Sequence, residues 1–113
     1  MKQQEARLYE GMYIISNQLN DEARAKLIEK LKADITKTGG VIKKTHDMKK
    51  KTLQYPIGRH KEGYYFLMYF TLEPAYIAEL WRGYKLNEGI VRFMTMQTDH
   101  VLEDLKFKEL PEA

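Results

Sequence analysis

Apolar and polar positions along this chain follow two rhythms, a two-residue alternation and a helical repeat, and their order predicts the fold. Leu8 to Ser16 is rich in aromatic and β-branched residues and ends at Asn17, which reads as a first strand. Tyr9, Gly11, Tyr13 and Ile15 lie on one face, and Leu8, Glu10, Met12, Ile14 and Ser16 on the other. Burying an unpaired carboxylate is costly, so Glu10 marks its face as the open one and the Tyr9–Tyr13–Ile15 face as the core. Asn20 or Asp21 can then cap a helix whose apolar positions are Ala23, Leu27, Ile28, Leu31 and Ile35, with Gly39 and Gly40 as its stop. Val41 to Ile57 is long, basic and weakly alternating, with Pro56 near its end, and suits an edge strand. After a polar connection from Gly58 to Gly63, the most hydrophobic run, Tyr64 to Leu72, predicts a central strand. Pro74 opens a second helix with the stripe Ile77, Leu80, Trp81 and Tyr84, weakened slightly by Gly83. Asn87, Glu88 and Gly89 form a turn into a fourth strand, Ile90 to Thr98, and an acidic tail follows from Asp99.

The order β-α-β-β-α-β predicts an α+β fold of the ferredoxin-like type, a four-stranded antiparallel sheet with both helices on one face. Right-handed crossovers put the first and third strands at the centre and the second and fourth outside, leaving the opposite face free for a partner. In the fourth strand, Val91, Phe93 and Thr95 face one way and Arg92, Met94 and Met96 the other, so Arg92 is expected to share the open face with Glu10. No repeat or linker divides the 113 residues, which predicts one domain over 1–113, with an ordered core at about 7–98 between a polar N-terminal extension and the acidic tail.

Composition narrows the classes. Hydrophobic residues at 43% with four Phe, eight Tyr and one Trp are too many for a disordered chain. With no cysteine there is no disulfide framework, zinc finger or thiol nucleophile, and a reducing cytoplasmic location is expected. No apolar run approaches the roughly 18 residues of a membrane span, and no signal peptide is visible. The net charge of +3 hides an uneven distribution. Eight basic residues (Lys37, Lys43, Lys44, Lys49, Lys50, Lys51, Arg59 and Lys61) face the single acid Asp47 between positions 37 and 61, a local +7 that leaves −4 for the rest. Such a segment suits a polyanion partner, or else a solvated edge strand guarded by lysines.

Enzyme chemistry is weakly represented. His46, His60 and His100 lack metal-ligand spacing, no Ser/His/Asp arrangement stands out, and no cofactor or metal is expected. Acylphosphatases share the topology, but their glycine-rich, arginine-bearing phosphate loop is here Ser16-Asn17-Gln18-Leu19. RNA binding is better supported, since Gly63 to Tyr69 resembles the third-strand signature of the RNA-recognition motif, with Glu62 and Tyr65 departing from it. In that module Tyr64 and Phe66 would stack on bases; the packing alternative puts both in the core, and it is the preferred reading.

Several runs also resemble a known family. Tyr9-Glu10, Leu53-Gln54-Tyr55-Pro56-Ile57 and Asn87 to Met96 look like the bacterial small-subunit ribosomal protein six family, a resemblance extending over roughly Arg7 to His100. It implies a non-catalytic structural protein that binds the central domain of small-subunit ribosomal RNA together with ribosomal protein eighteen. The family's basic positions correspond here to Arg7, Lys50, Lys51 and Arg92. Where the family usually has glycine followed by arginines, this chain has Lys49, Lys50 and Lys51, which keep the charge and lose the bidentate fork. The expected RNA contacts are therefore Arg7, Lys49, Lys50, Lys51, Arg59 and Arg92, and the expected protein-partner surface is Leu8, Met12, Leu67 and Met94. The alternative is a free-standing single-strand RNA-binding module, and a third class is a metabolite-sensing domain of the same topology. Neither a membrane nor a small-molecule substrate is expected.

Overall fold

The computed structural model describes residues 5–57 and 60–101, with backbone alone at 51–57, 60 and 61. Its elements are β1 (Arg7–Ser16), α1 (Asp21–Lys37), β2 (Val41–Ile57), β3 (His60–Leu72), a 3-10 turn (Pro74–Tyr76), α2 (Ile77–Leu86) and β4 (Ile90–Gln97). The four strands are antiparallel in the order β2-β3-β1-β4, which is the predicted ferredoxin-like arrangement.

Local chemistry accounts for the boundaries. The Asn20 side chain accepts from the Ala23 amide at 2.8 Å, so Asn20 rather than Asp21 caps α1, and Asp21 and Glu22 sit at the positive end of its dipole. Past its C-terminus, Gly39 takes a left-handed φ of 89°, which ends the helix without a Cβ penalty. Pro74 starts a 3-10 turn and α2 begins only at Ile77, because a proline fits a first turn but cannot donate within one. The Asn87 carboxamide accepts from the Gly89 amide at 2.8 Å and closes the turn into β4.

Alternation along β1 and β3 builds the principal core. Tyr9, Tyr13, Ile15, Phe66, Met68 and Phe70 pack beneath Leu27, Leu31 and Ile35 of α1 and Leu80 and Tyr84 of α2. Burying one such side chain contributes roughly 1.5–3 kcal/mol. The Tyr13 and Tyr84 hydroxyls meet 2.8 Å apart inside this core, their rings edge to face at 5.2 Å, so the one polar group on each ring is satisfied. Gly11 makes room for them: a Cβ there would lie 2.8 Å from the Tyr13 hydroxyl and 3.1 Å from the Phe70 ring.

Three expectations change. The polar stretch 58–63 is not all connection, since β3 begins at His60 and pairs with Ile57 and Thr52 through His60 and Glu62. Backbone pairing is indifferent to side-chain polarity, so a hairpin can continue through a polar run. Trp81, assigned to the apolar stripe of α2, is 37% exposed and donates its indole N–H to the Thr95 hydroxyl at 3.1 Å. The helix-free face is also less open than expected. Met12, Leu67 and Tyr69 are buried there, packed with Leu8, Met48, Met94 and Val101. Glu10 still belongs to this face, where it accepts the Tyr69 hydroxyl. The N-terminal extension at 1–4 and the tail from 102 lie outside the described residues.

Two glycines should respond to alanine with opposite signs in thermal unfolding. Gly83→Ala, with nothing within 4 Å of the new Cβ, should stabilise by about 0.5–1 kcal/mol, whereas Gly11→Ala should destabilise as an overpacked core. A second expectation concerns alkali. Burial, then the nearby Tyr84, holds the Tyr13 phenol well above its ordinary range; burial pushes Tyr84 up to about 12, opposed by its bond to Tyr13 and aided by Asp34. The folded state thus keeps these protons longer than the unfolded chain, so their contribution is complete below about pH 10 and lost as pH rises toward about 12. Urea unfolding across that window should show the loss, and Tyr84→Phe should lose a smaller fraction of its own neutral-pH stability.

Candidate nucleic-acid interface

The basic segment occupies β2, an edge strand hydrogen-bonded on one side only, to β3. Its pairing with β3 shifts three times, between Ile42 and Lys44, between Asp47 and Lys49, and between Thr52 and Ile57. Such bulges are one way an edge resists pairing with another chain, and they re-aim side chains. At the middle shift Lys49 has φ 67°, a left-handed conformation, and its amide donates to the Asp47 carboxylate at 2.9 Å.

The register places charges from different elements in one row. Lys49 of β2 pairs with Tyr65 of β3, Tyr65 with Ile14 of β1, and Ile14 with Arg92 of β4. Three strand spacings separate Lys49 from Arg92, about 14 Å, a span that phosphates along a folded RNA backbone can bridge. Arg92 is exposed and shares the helix-free face with Ile14, Met12 and Glu10, as alternation predicts. Glu10 stands opposite Met96 and Tyr69, so an Arg92–Glu10 pair across the sheet does not form. Among the described residues no acid lies within ion-pair distance of Arg92.

Lys50 pairs with Tyr64, and its ammonium is 3.9 Å from Glu62. Lys49 is 3.8 Å from Asp47. Both pairs are solvent-exposed, worth at most about 1 kcal/mol each, and too weak to hold either lysine away from a phosphate. The Lys51 backbone pairs with Gly63. Arg59 lies outside the described residues. Arg7 is exposed at the far end of the sheet, opposite Leu72, and donates to Gln97 at 3.3 Å. Leu72 and Tyr65 are seven residues apart on β3, so Arg7 stands about 23 Å from the Lys49 row and does not join its cluster.

The expected apolar partner surface is partly corrected. Leu8 and Met94 are half-buried and available, but Met12 at 8% and Leu67 at 3% exposure are internal to the second cluster and support the surface from beneath. Met96, half-exposed on the same face opposite Glu10, extends this surface. Tyr65 was passed over in favour of Tyr64 and Phe66, although strand parity alone puts it on the helix-free face between the two cations. Phe66 is buried at 5% exposure, and Tyr64 faces the helices with the Arg24 guanidinium stacked 3.7 Å over its ring. The two aromatics that a single-strand RNA-binding module would offer to bases are therefore engaged in the protein's own packing.

Comparison with known proteins identifies relatives of the whole chain. A family model described as ribosomal protein S6 matches residues 8–97. The chain is 51% identical over 112 residues to the small ribosomal subunit protein bS6 of Chlamydia caviae, covering 99% of this chain and all of that one. It is 47% identical to the bS6 protein of Protochlamydia amoebophila, covering 99% and 98% of the two chains. A crystal structure of 30S ribosomal protein S6 from Thermotoga maritima superposes with a TM-score of 0.79 at 30% identity, over 83% of this chain and 89% of that one.

A left-handed φ at Lys49 carries a cost that glycine avoids, roughly 1–2 kcal/mol before the looser unfolded chain is allowed for. Lys49→Gly should therefore raise the thermal midpoint by an amount equivalent to about 1 kcal/mol, and a lower midpoint would contradict the conformation at this position.

Proposed function

Because the chain belongs to the ribosomal protein S6 family, a constituent of the small ribosomal subunit, we propose that it holds folded small-subunit ribosomal RNA through phosphate contacts from Lys49, Lys50, Lys51, Arg59 and Arg92. Arg7 makes a separate contact at the opposite end of the sheet. Ribosomal protein eighteen, in this reading, docks on the helix-free face against Leu8 and Met94, with Met96 at its margin and Met12 and Leu67 as the packed floor. The role is structural and involves no bond-breaking step; the relatives carry names of ribosomal constituents rather than of enzymes.

One observation carries the reading: Lys49 and Arg92 flank a single cross-strand row at one end of the sheet, and their only acidic neighbour among the described residues is the exposed Asp47. Two separated cations on a rigid sheet suit a folded backbone, whose phosphates are fixed in space. Lysine recognises a phosphate as a point charge, so binding should depend on overall shape and salt more than on base identity.

The protein should sediment with small ribosomal subunits and leave them only as salt is raised. Lys50→Ala and Arg92→Ala should each release at lower salt, with the slope of log affinity against log salt shallower by about one unit per lost contact. Release that is insensitive to salt would contradict phosphate binding. Phe66→Ala should instead cost about 3–5 kcal/mol of folding stability. If it left stability intact and abolished RNA binding, base stacking would be the better account.

A further inference from the structure

We propose that Asp47 is a positioning residue for this RNA-binding ribbon: by holding Lys49 in its left-handed conformation it keeps an extra residue in β2, and that residue keeps Lys49 on the helix-free face, in the row that ends at Arg92. The inference rests on the phosphate-binding reading above and adds a determinant that lies outside the contacts themselves.

The pairing shows how one residue does this. Up to the bulge, His46 stands opposite Leu67 and Asp47 opposite Phe66. Met48 is then skipped, and Lys49 stands opposite Tyr65, Lys50 opposite Tyr64 and Lys51 opposite Gly63. Without the skip Lys49 would oppose Tyr64 and Lys50 would oppose Gly63. Because side chains alternate along a strand, that one-residue slip would turn Lys49 to the helix side, out of the row with Arg92. The observed register keeps Lys49 on the helix-free face in one row with Tyr65, Ile14 and Arg92, while Lys50 lies beside Glu62 and the skipped Met48 packs against the Met12, Leu67 and Tyr69 cluster.

Two contacts hold the bulge. The Asp47 carboxylate accepts the Lys49 amide at 2.9 Å, and its second oxygen lies 3.8 Å from the Lys49 ammonium. The amide contact is the one that matters for conformation, because a lysine, unlike a glycine, reaches φ 67° at a steric cost and needs a local partner to stay there. Asp47 is also the single acid among the basic residues between positions 37 and 61, where a carboxylate works against RNA binding by charge alone. Charge and positioning therefore predict opposite signs when it is removed.

The test is release of the full-length protein from small ribosomal subunits as salt is raised, comparing wild type with Asp47→Ala and Asp47→Asn. Asparagine keeps the acceptor oxygen and loses the charge, so Asp47→Asn should release at the wild-type salt concentration or above it. Asp47→Ala should release at lower salt, with a slope shallower by about one unit, and NMR should show the loss of the Lys50–Tyr64 backbone pairing. In a Lys49→Gly background, where left-handed φ needs no support, the alanine change should leave the Lys50–Tyr64 backbone pairing in place. If Asp47→Ala held as tightly as Asp47→Asn, or kept the Lys50–Tyr64 pairing while releasing early, the positioning role would be overturned. If wild type itself released without regard to salt, the underlying phosphate reading would fall first and this inference with it.

Discussion

The antiparallel pairing of β1 with β3, from Arg7 opposite Leu72 to Ser16 opposite Gly63, is the constraint from which the rest of the molecule follows. Once these two strands are in register, alternation sorts every side chain between them to one face or the other. The face carrying Tyr9, Tyr13, Ile15, Phe66, Met68 and Phe70 is apolar enough to require both helices over it. Tyr13 and Tyr84 then join sheet to helix through a pair of hydroxyls that burial would otherwise leave unsatisfied. A slip of one residue would invert both faces, so the hydrophobic pattern defends the register strongly.

The outer strands are under weaker control, and the proposed RNA contacts are found there. Among the strands β2 hydrogen-bonds only to β3, and its three irregularities let it carry many lysines without presenting a flat edge to another chain. A basic edge strand serves two ends at once, because the charges that keep other strands away also attract a phosphate backbone. Arg92 on β4 reaches the same row from the opposite edge. Between them lie Tyr65 and Ile14, held by the central strands, so the spacing between the two cations is set by the rigid middle of the sheet.

The lysines at this edge fit that division of labour. An arginine fork needs a matched partner geometry, whereas an ammonium on a flexible stem needs only proximity to negative charge. Positional accuracy then has to come from the strand, and so from the backbone conformation at Lys49.

Most of the architecture was legible in the residues themselves. The element order, the Asn20 cap, the stop at Gly39, the core faces of β1 and β3 and the outer place of β2 all follow from local periodicity and turn chemistry, which depend on neighbours a few residues away. What local pattern could not reach were the features decided by distant partners. Met12 and Leu67 read as open-face residues because nothing nearby in the chain reveals that Met48 and Val101 close over them. His60 and Glu62 read as loop because the backbone of β2 that pairs with them lies across a hairpin. Tyr65 was legible by parity but passed over, because its place between Lys49 and Arg92 appears only when strands remote in sequence are laid side by side. Residue type and spacing determined which elements form and which faces are apolar. Register, bulges and the grouping of charges were decided by tertiary structure, because hydrogen bonding between strands acts across chain distances that no local pattern encodes.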